Sequence, residues 1–271
     1  MNVLWSKHVE IQDLWTPTCF GLFSKQENKV TYFFSNNSKL VSISEEDTKP
    51  QVRHSFGRNE IFPLPSKWTV VETETAAYLL FSDNCGFNLK NNEVSYDIPD
   101  EIRLEHSQHV RPEKYLVENP QQLGEFTILH KGNFGYICKQ ENTQLWEFTG
   151  RAYLYTEMMR WENRLFFGTG GYGGYFYVLD IRNGLPLVSI KTGGTRCLVH
   201  VDNLCYVLKN EKTAQLLCID LSDGRTVSQC DLPGIATLES RITMIDNLIH
   251  VITFNISHSK SDGFTWSCVK M

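Results

Sequence analysis

Short apolar runs separated by polar, glycine-containing turns recur along the chain. Between Met158 and Lys191 these runs predict four strands, at Met158 to Trp161, Arg164 to Thr169, Tyr175 to Asp180 and Pro186 to Ile190. Runs of four to eight apolar, β-branched and aromatic residues bounded by turn residues are typical of β-strands. The glycine punctuation argues against a solvated helix, because glycine is among the poorest helix formers. We therefore predict a four-stranded unit made of two joined hairpins.

This unit repeats along the second half of the chain. Residues of like type stand 40 positions apart: Asp180 and Asp220, Asn183 and Asp223, Gly184 and Gly224, Gly194 and Gly234, and Asn163 and Asn203. A third copy of the last element carries Asn247, 44 residues after Asn203. Periods of 40 to 45 residues built from short strands indicate the blades of a propeller.

Three weaker copies precede these. Their apolar second strands are predicted at Lys29 to Phe34, Ala76 to Phe81 and Glu125 to His130. Six units of about 45 residues account for the 271 residues, so we predict an all-β fold. It is a single closed β-propeller of six four-stranded antiparallel blades, with seven blades as the alternative.

The two ends of the sequence are predicted to share one blade. Val3 to Ser6 resembles the outer strand of a repeat, and Phe264 to Val269 resembles the third strand. Such sharing joins the ring and removes an open sheet edge. The whole chain, 1–271, is then one propeller domain, with an inserted loop at about 99–122 that is charged and broken by prolines.

Two kinds of glycine-containing segment predict turns and loops. Asn183-Gly184 and Asp223-Gly224 are typical of tight primed hairpin turns, which need positive φ at both central residues. The segment 168–173 matches G-x-G-x-x-G, but a strand follows it where a dinucleotide site requires a helix. We interpret it as the loop between second and third strands, with Tyr172 at its tip as a contact residue.

One repeat resembles a known family. The segment from Tyr177 to Val188, followed by Gly193-Gly194, is similar to repeats of the pyrroloquinoline-quinone-type β-propeller. Those repeats have the pattern Leu-Tyr-x-Leu-Asp-x-x-x-Gly-x-x-Leu-Trp. The resemblance covers roughly Arg160 to Gly234 and implies the propeller fold. Quinone-dependent members of that family use a metal and a vicinal disulfide, and this chain has no adjacent cysteine pair. No cofactor residues are carried over, and we expect no cofactor.

Charge and composition limit the kinds of partner that the chain is expected to bind. Lys+Arg 26 against Asp+Glu 31 gives a formal net charge of −5, without the dense cationic block that nucleic acid binding requires. The apolar runs are far shorter than the roughly 20 residues that span a bilayer. With no export signal visible, the eight scattered cysteines predict reduced thiols in a cytoplasmic protein. We expect a monomer that binds neither nucleic acid nor membrane.

Four residues are predicted to form a polar recognition surface. Glu157, Arg196 and Arg241 occupy nearly equivalent positions, near the start of successive innermost strands, and Tyr172 lies in the glycine-rich loop. Charges so placed face the mouth of the central channel. Salt bridging between blades is the alternative role of these charged residues.

Catalytic motifs are weak. His106 and His109 stand three residues apart, a spacing that could ligate zinc on one helical turn, but further ligands are not evident, so we expect no metal there. No nucleophile motif stands out. We predict a non-catalytic protein-binding scaffold, such as a cytosolic immunity (antidote) or adaptor protein, for which an acidic domain suits a basic partner. The alternative is a hydrolase or lyase with its site at the channel mouth.

Overall fold

The structure is a computed structural model of the chain. It describes all residues except 15–20, 27, 37, 58–67, 74–75, 83, 104–120, 133, 152–155, 157, 171–172, 194–197, 211, 238–239 and 258–259. For 12–14, 256–257 and 260–261 it describes the backbone alone.

The strands of the described residues form six four-stranded antiparallel sheets. In five of them the four strands are consecutive in the chain, and in the sixth the first strand of the chain pairs with the last. Six such sheets are the blades of a β-propeller, which confirms the predicted fold class. Among the described residues the helical content is one turn at 100–103.

The chain divides into two compact units. The first contains residues 1–8, 114–256 and 264–271, and the second contains 9–113 and 257–263. The second unit holds two sheets, with strands β2 Gly21–Gln26, β3 Lys29–Asn36, β4 Lys39–Ser44, β5 Gln51–Ser55, β6 Thr69–Glu72, β7 Ala77–Ser82, β8 Cys85–Asn88 and β9 Glu93–Ser95. Their core includes Phe33, Leu79 and Phe87.

Three complete sheets lie in the first unit. Their strands are β10 Gln121–Leu123, β11 Phe126–Lys131, β12 Gly135–Gln140, β13 Thr143–Thr149, β14 Met159–Trp161, β15 Arg164–Gly168, β16 Tyr175–Asp180, β17 Pro186–Lys191, β18 Leu198–Val201, β19 Leu204–Asn210, β20 Ala214–Asp220 and β21 Thr226–Leu232. The four strands predicted between 158 and 191 correspond to β14–β17 within one residue at each end. The three weaker copies in the first half also have their predicted second strands, as β3, β7 and β11.

The last blade unites the two ends of the sequence. It contains β22 Arg241–Ile245, β23 Leu248–Ser257, β24 Lys260–Lys270 and β1 Asn2–Leu14, and their order in the sheet is β1-β24-β23-β22. Trp5 of β1 packs edge-on against Trp266 of β24, with ring centroids 5.4 Å apart. The Ser6 and Ser267 hydroxyls hydrogen-bond at 2.8 Å. The prediction that both ends complete one blade, with β1 outermost, is confirmed.

The turns at Gly184 and Gly224 differ from the predicted tight primed turns. Gly184 has φ +70°, whereas Asn183 does not have positive φ. The connection runs from Asp180 to Leu185, and the Asp180 carboxylate accepts a hydrogen bond from the Arg182 amide at 2.9 Å. An aspartate that caps its own turn favours this longer loop over a two-residue hairpin. The Asp220 to Arg225 turn is built in the same way.

These glycines also allow neighbouring blades to approach. A Cβ at Gly184 would lie 2.6 Å from the Trp146 side chain, and one at Gly224 would lie 2.4 Å from Val188. Trp146 is 7% exposed, and its indole N–H donates to the Ile181 carbonyl at 2.6 Å. The fourth strand of one blade therefore packs onto the last turn of the next blade.

The predicted inserted loop at about 99–122 falls mostly on residues 104–120, outside the described part. At its start, Ile98 and Ile102 are buried, with the helical turn 100–103 between strand β9 and the undescribed segment. At its end, Gln121 and Gln122 belong to β10.

The cysteines predicted to fill the strands are buried. Cys138, Cys205 and Cys218 are at most 3% exposed. Burial raises the pKa of each of these thiols, that of Cys138 to about 11. A thiol with a raised pKa is a poor nucleophile, so these side chains serve packing.

Candidate protein-binding surface

Only one residue of the predicted recognition surface is described. Arg241 begins β22 and pairs with Ile252 of β23, and its guanidinium donates to the Ser240 carbonyl at 3.0 Å. Glu157, Tyr172 and Arg196 lie outside the described residues, as do His106 and His109. The contribution of these residues to a recognition surface or metal site therefore stays a prediction.

Within the described residues, no group of three or more His, Cys, Asp or Glu side chains is placed to hold a metal ion. No helix in that part of the chain is long and apolar enough to cross a membrane.

The end of the blades at which the first and third strands finish carries an excess of negative charge. We define the turn surface as the first-to-second and third-to-fourth strand turns of the first unit: 124–125, 141–142, 162–163, 181–185, 202–203, 221–225 and 246–247. Antiparallel order places both kinds of turn at the same end of a blade. The surface holds six acidic residues and two basic ones, a net charge of −4; they are Glu125, Glu141, Glu162, Asp202, Asp223 and Asp246, with Arg182 and Arg225.

The repeated asparagines explain how the first of these turns form. Asn163, Asn203 and Asn247 are the second residues of two-residue turns. An acidic residue precedes each asparagine, and its φ is 48° at Glu162, 50° at Asp202 and 51° at Asp246. In such turns the backbone of the first residue adopts the left-handed conformation. The repeat that aligns the blades therefore also presents one carboxylate per blade.

Arginine side chains hold these turns and hydrogen-bond from one blade to the next. The Arg164 guanidinium pairs with Asp180 at 3.2 Å and donates to the Leu221 and Ser222 carbonyls in the next blade. In the turn itself, a hydrogen bond from Arg225 lowers the pKa of the Asp223 carboxyl. The turns are thus held in fixed positions, which favours a preformed surface.

A surface depression of about 610 Å³ lies at this end, where β10, β14 and β18 approach their turns. Residues that line it include Leu123, Gly124, Met159, Arg160, Glu162 and His200. The Arg160 guanidinium donates to the Leu123 and Glu162 carbonyls and, at 2.8 and 3.3 Å, to both oxygens of Glu125. Arg160 therefore links two blades and forms a rigid side of the depression.

The Arg160 guanidinium lies so close to Gly124 that position 124 has no room for a side chain. Gly124 has φ +68°, and a Cβ there would lie 2.4 Å from the Arg160 guanidinium. The guanidinium also lies over the Phe126 ring, 5.1 Å from its centroid. The hydrogen bond from Arg160 lowers the pKa of the Glu125 carboxyl, so the pair stays ionised at neutral pH.

Two ionisable side chains in the depression are left for other contacts. The Glu162 carboxylate has no ion-pair or hydrogen-bond partner among the described residues, and the same holds for the His200 imidazole, whose ring lies edge-on to Phe166 at 5.2 Å. The two groups do not hydrogen-bond to each other, whereas an acid–base pair acts at hydrogen-bond reach. Sequence reasoning missed the depression, although the acidic residue before each repeated asparagine was a visible signal.

The sheets and the repeats place the chain in the class of six-bladed β-propellers. No protein-family model and no curated protein sequence matches the chain. Solved structures similar to it include BamB from Moraxella catarrhalis, with 10% identity, TM-score 0.40 and coverage of 100% of this chain and 97% of that one. The AfRom2 CNH domain is 9% identical, with TM-score 0.45 and coverage of 100% and 99%.

A third similar structure is a europium-containing methanol dehydrogenase, with 14% identity and TM-score 0.34. This match covers 42% of the present chain and 24% of the dehydrogenase, so the chain spans only about a quarter of it. At these identities and TM-scores the similarities concern the fold alone and carry no argument about function.

Proposed function

We propose that the chain is a non-catalytic β-propeller scaffold that binds a basic protein through the turn surface. The observation that carries the proposal is the net charge of −4 on the turns of the first unit. Complementary potentials steer association and select partners. A scaffold of this kind suits a cytosolic adaptor, or an immunity protein that covers the basic active site of a toxin.

The fixed geometry of the turns supports the proposal. Arg160, Arg164 and Trp146 each bond to backbone carbonyls of an adjacent blade, so the backbone of the turns is tied across blades. A surface that is ordered before binding loses little conformational entropy when a partner docks.

Affinity capture from the native host tests this proposal. The full chain is compared with a turn variant, Glu141→Lys with Asp202→Lys, which reverses two exposed charges without touching the depression. The matched control is Lys191→Glu with Lys212→Glu, two exposed lysines outside the turn surface. We expect a stoichiometric basic protein that the wild type and the control retain and the turn variant loses.

Added salt should weaken the complex, because surface charge interactions are screened over about 8 Å at physiological ionic strength. Circular dichroism and thermal unfolding of each variant establish that it is folded. The proposal is wrong if no stoichiometric partner is found, or if the captured protein binds the turn variant as tightly as the wild type.

A further inference from the structure

The depression beside Glu162 has a chemistry that restricts what it can accept. An anionic group is disfavoured, because the Arg160 donors are directed at the chain's own carbonyls and at Glu125. The positive charge of Arg160 is matched by the negative charge of Glu125 at 2.8 Å. The charge that remains for a ligand is the Glu162 carboxylate.

The walls of the depression suit a long side chain. Leu123 and Met159 contribute apolar and thioether surface, and both also pack against buried core clusters. The His200 ring is held against Phe166. Lysine and arginine place an aliphatic stem along apolar surface while the charged head reaches a polar partner. The depression is open to solvent, with a volume of about 610 Å³.

We infer that this depression receives one cationic side chain, an arginine or a lysine, of the protein partner, with Glu162 as its counter-charge. The inference rests on the proposed function, because a basic partner supplies the cation. The stem lies against Leu123 and Met159, and the head group donates hydrogen bonds to the Glu162 carboxylate. The depression thereby fixes the position of a partner that the wider turn surface attracts.

The test uses a small probe in place of the partner. N-acetyl-arginine amide is titrated into the full chain with ¹³C-labelled methionine methyl groups, and N-acetyl-citrulline amide serves as the uncharged probe of nearly the same shape. We expect the arginine probe to shift the Met159 methyl resonance, and the citrulline probe to leave it in place. Equal shifts with both probes would show an apolar pocket and overturn the inference.

Two matched variants test which carboxylate binds the arginine probe. Glu162→Gln removes the counter-charge, and Glu141→Gln makes the same change at another turn-surface glutamate with similar φ, 53° against 48°. We expect Glu162→Gln to weaken the arginine probe about tenfold, as for a close charge pair. Glu141→Gln should weaken it by less than about twofold, as for an exposed charge. Equal weakening by both, or no shift at Met159 up to the solubility limit, would refute the inference.

The same variants separate the inference from the proposed function. If the captured partner is lost by the turn variant but binds Glu162→Gln normally, the scaffold proposal stands and the depression is not its anchoring site. If the wild type captures no partner, the scaffold proposal fails, whatever the small probe does. Partner binding that Glu162→Gln weakens about tenfold and Glu141→Gln leaves nearly unchanged would support both.

Discussion

Acidification should destabilise the last blade through one buried histidine. His250 in β23 is 1% exposed, and its Nδ1 accepts the indole N–H of Trp266 at 3.2 Å. Protonation would place a charge in this buried site and a hydrogen on the accepting nitrogen. Burial lowers the pKa of His250 from 6.5 to about 4, with Asp246 opposing the shift.

The pKa shift sets both the sign and the size of the effect. Because the folded pKa lies below the unfolded one, the unfolded chain binds more protons between pH 6.5 and 4, and stability is lost as the pH falls through this range. At about 1.4 kcal/mol per unit, a pKa of about 4 predicts a loss of about 2 kcal/mol on going from pH 7 to pH 5. His130, whose pKa burial also lowers, adds in the same direction.

Urea unfolding at a series of pH values measures this loss. His250→Phe removes the titrating group; its unfolding free energy at pH 7 should be lower, because the Trp266 indole loses its acceptor, but it should depend less on pH. The control is His200→Gln, which removes an exposed imidazole in a different blade. His250 is not the cause of the acid sensitivity if His250→Phe loses as much stability as the wild type between pH 7 and pH 5.

Two further outcomes follow from the packing of the blades. Gly184→Ala combines φ +70° with a Cβ 2.6 Å from Trp146, and should lower the unfolding free energy by about 2–4 kcal/mol. Gly173→Ala, at φ +95° with nothing within 4 Å of the added Cβ, should lower the unfolding free energy only by the backbone strain of about 1–2 kcal/mol. If urea unfolding shows equal losses for the two variants, the contact between position 184 and Trp146 does not add to the cost. Cys138 and Cys205 should react with a thiol reagent only as fast as the chain unfolds, and rapid labelling of either in the native protein would show that it is accessible.

The sequence predicts the blades well because blade structure is local. The 40-residue spacing of Asp180 and Asp220 reflects turns that each blade forms from its own residues, so a pattern within one segment is enough. The Asn183-Gly184 pair alone predicts the wrong turn conformation, because the Asp180 carboxylate, three residues before Asn183, also takes part in the turn. That carboxylate caps the turn and lengthens it.

The depression depends on contacts that no single segment contains. Leu123, Arg160 and His200 come from the first strands of three blades. Their proximity is set by how one sheet packs on the next, through pairs such as Arg160 with Glu125. A sequence pattern gives the order of blades but not which side chains meet across them, so the residues of this site could not be assigned in advance.

The pairing of β1 with β24 has a consequence for how the protein is made. The hydrogen bond between Ser6 and Ser267 joins residues 261 positions apart. Ribosomes add about 5–20 residues per second, so β1 waits about 10–50 s for its partner strand to be synthesised. During that time Trp5 lacks the ring of Trp266 against which it packs. β1, made before the other strands of the propeller, therefore enters a sheet only after β24 has been synthesised.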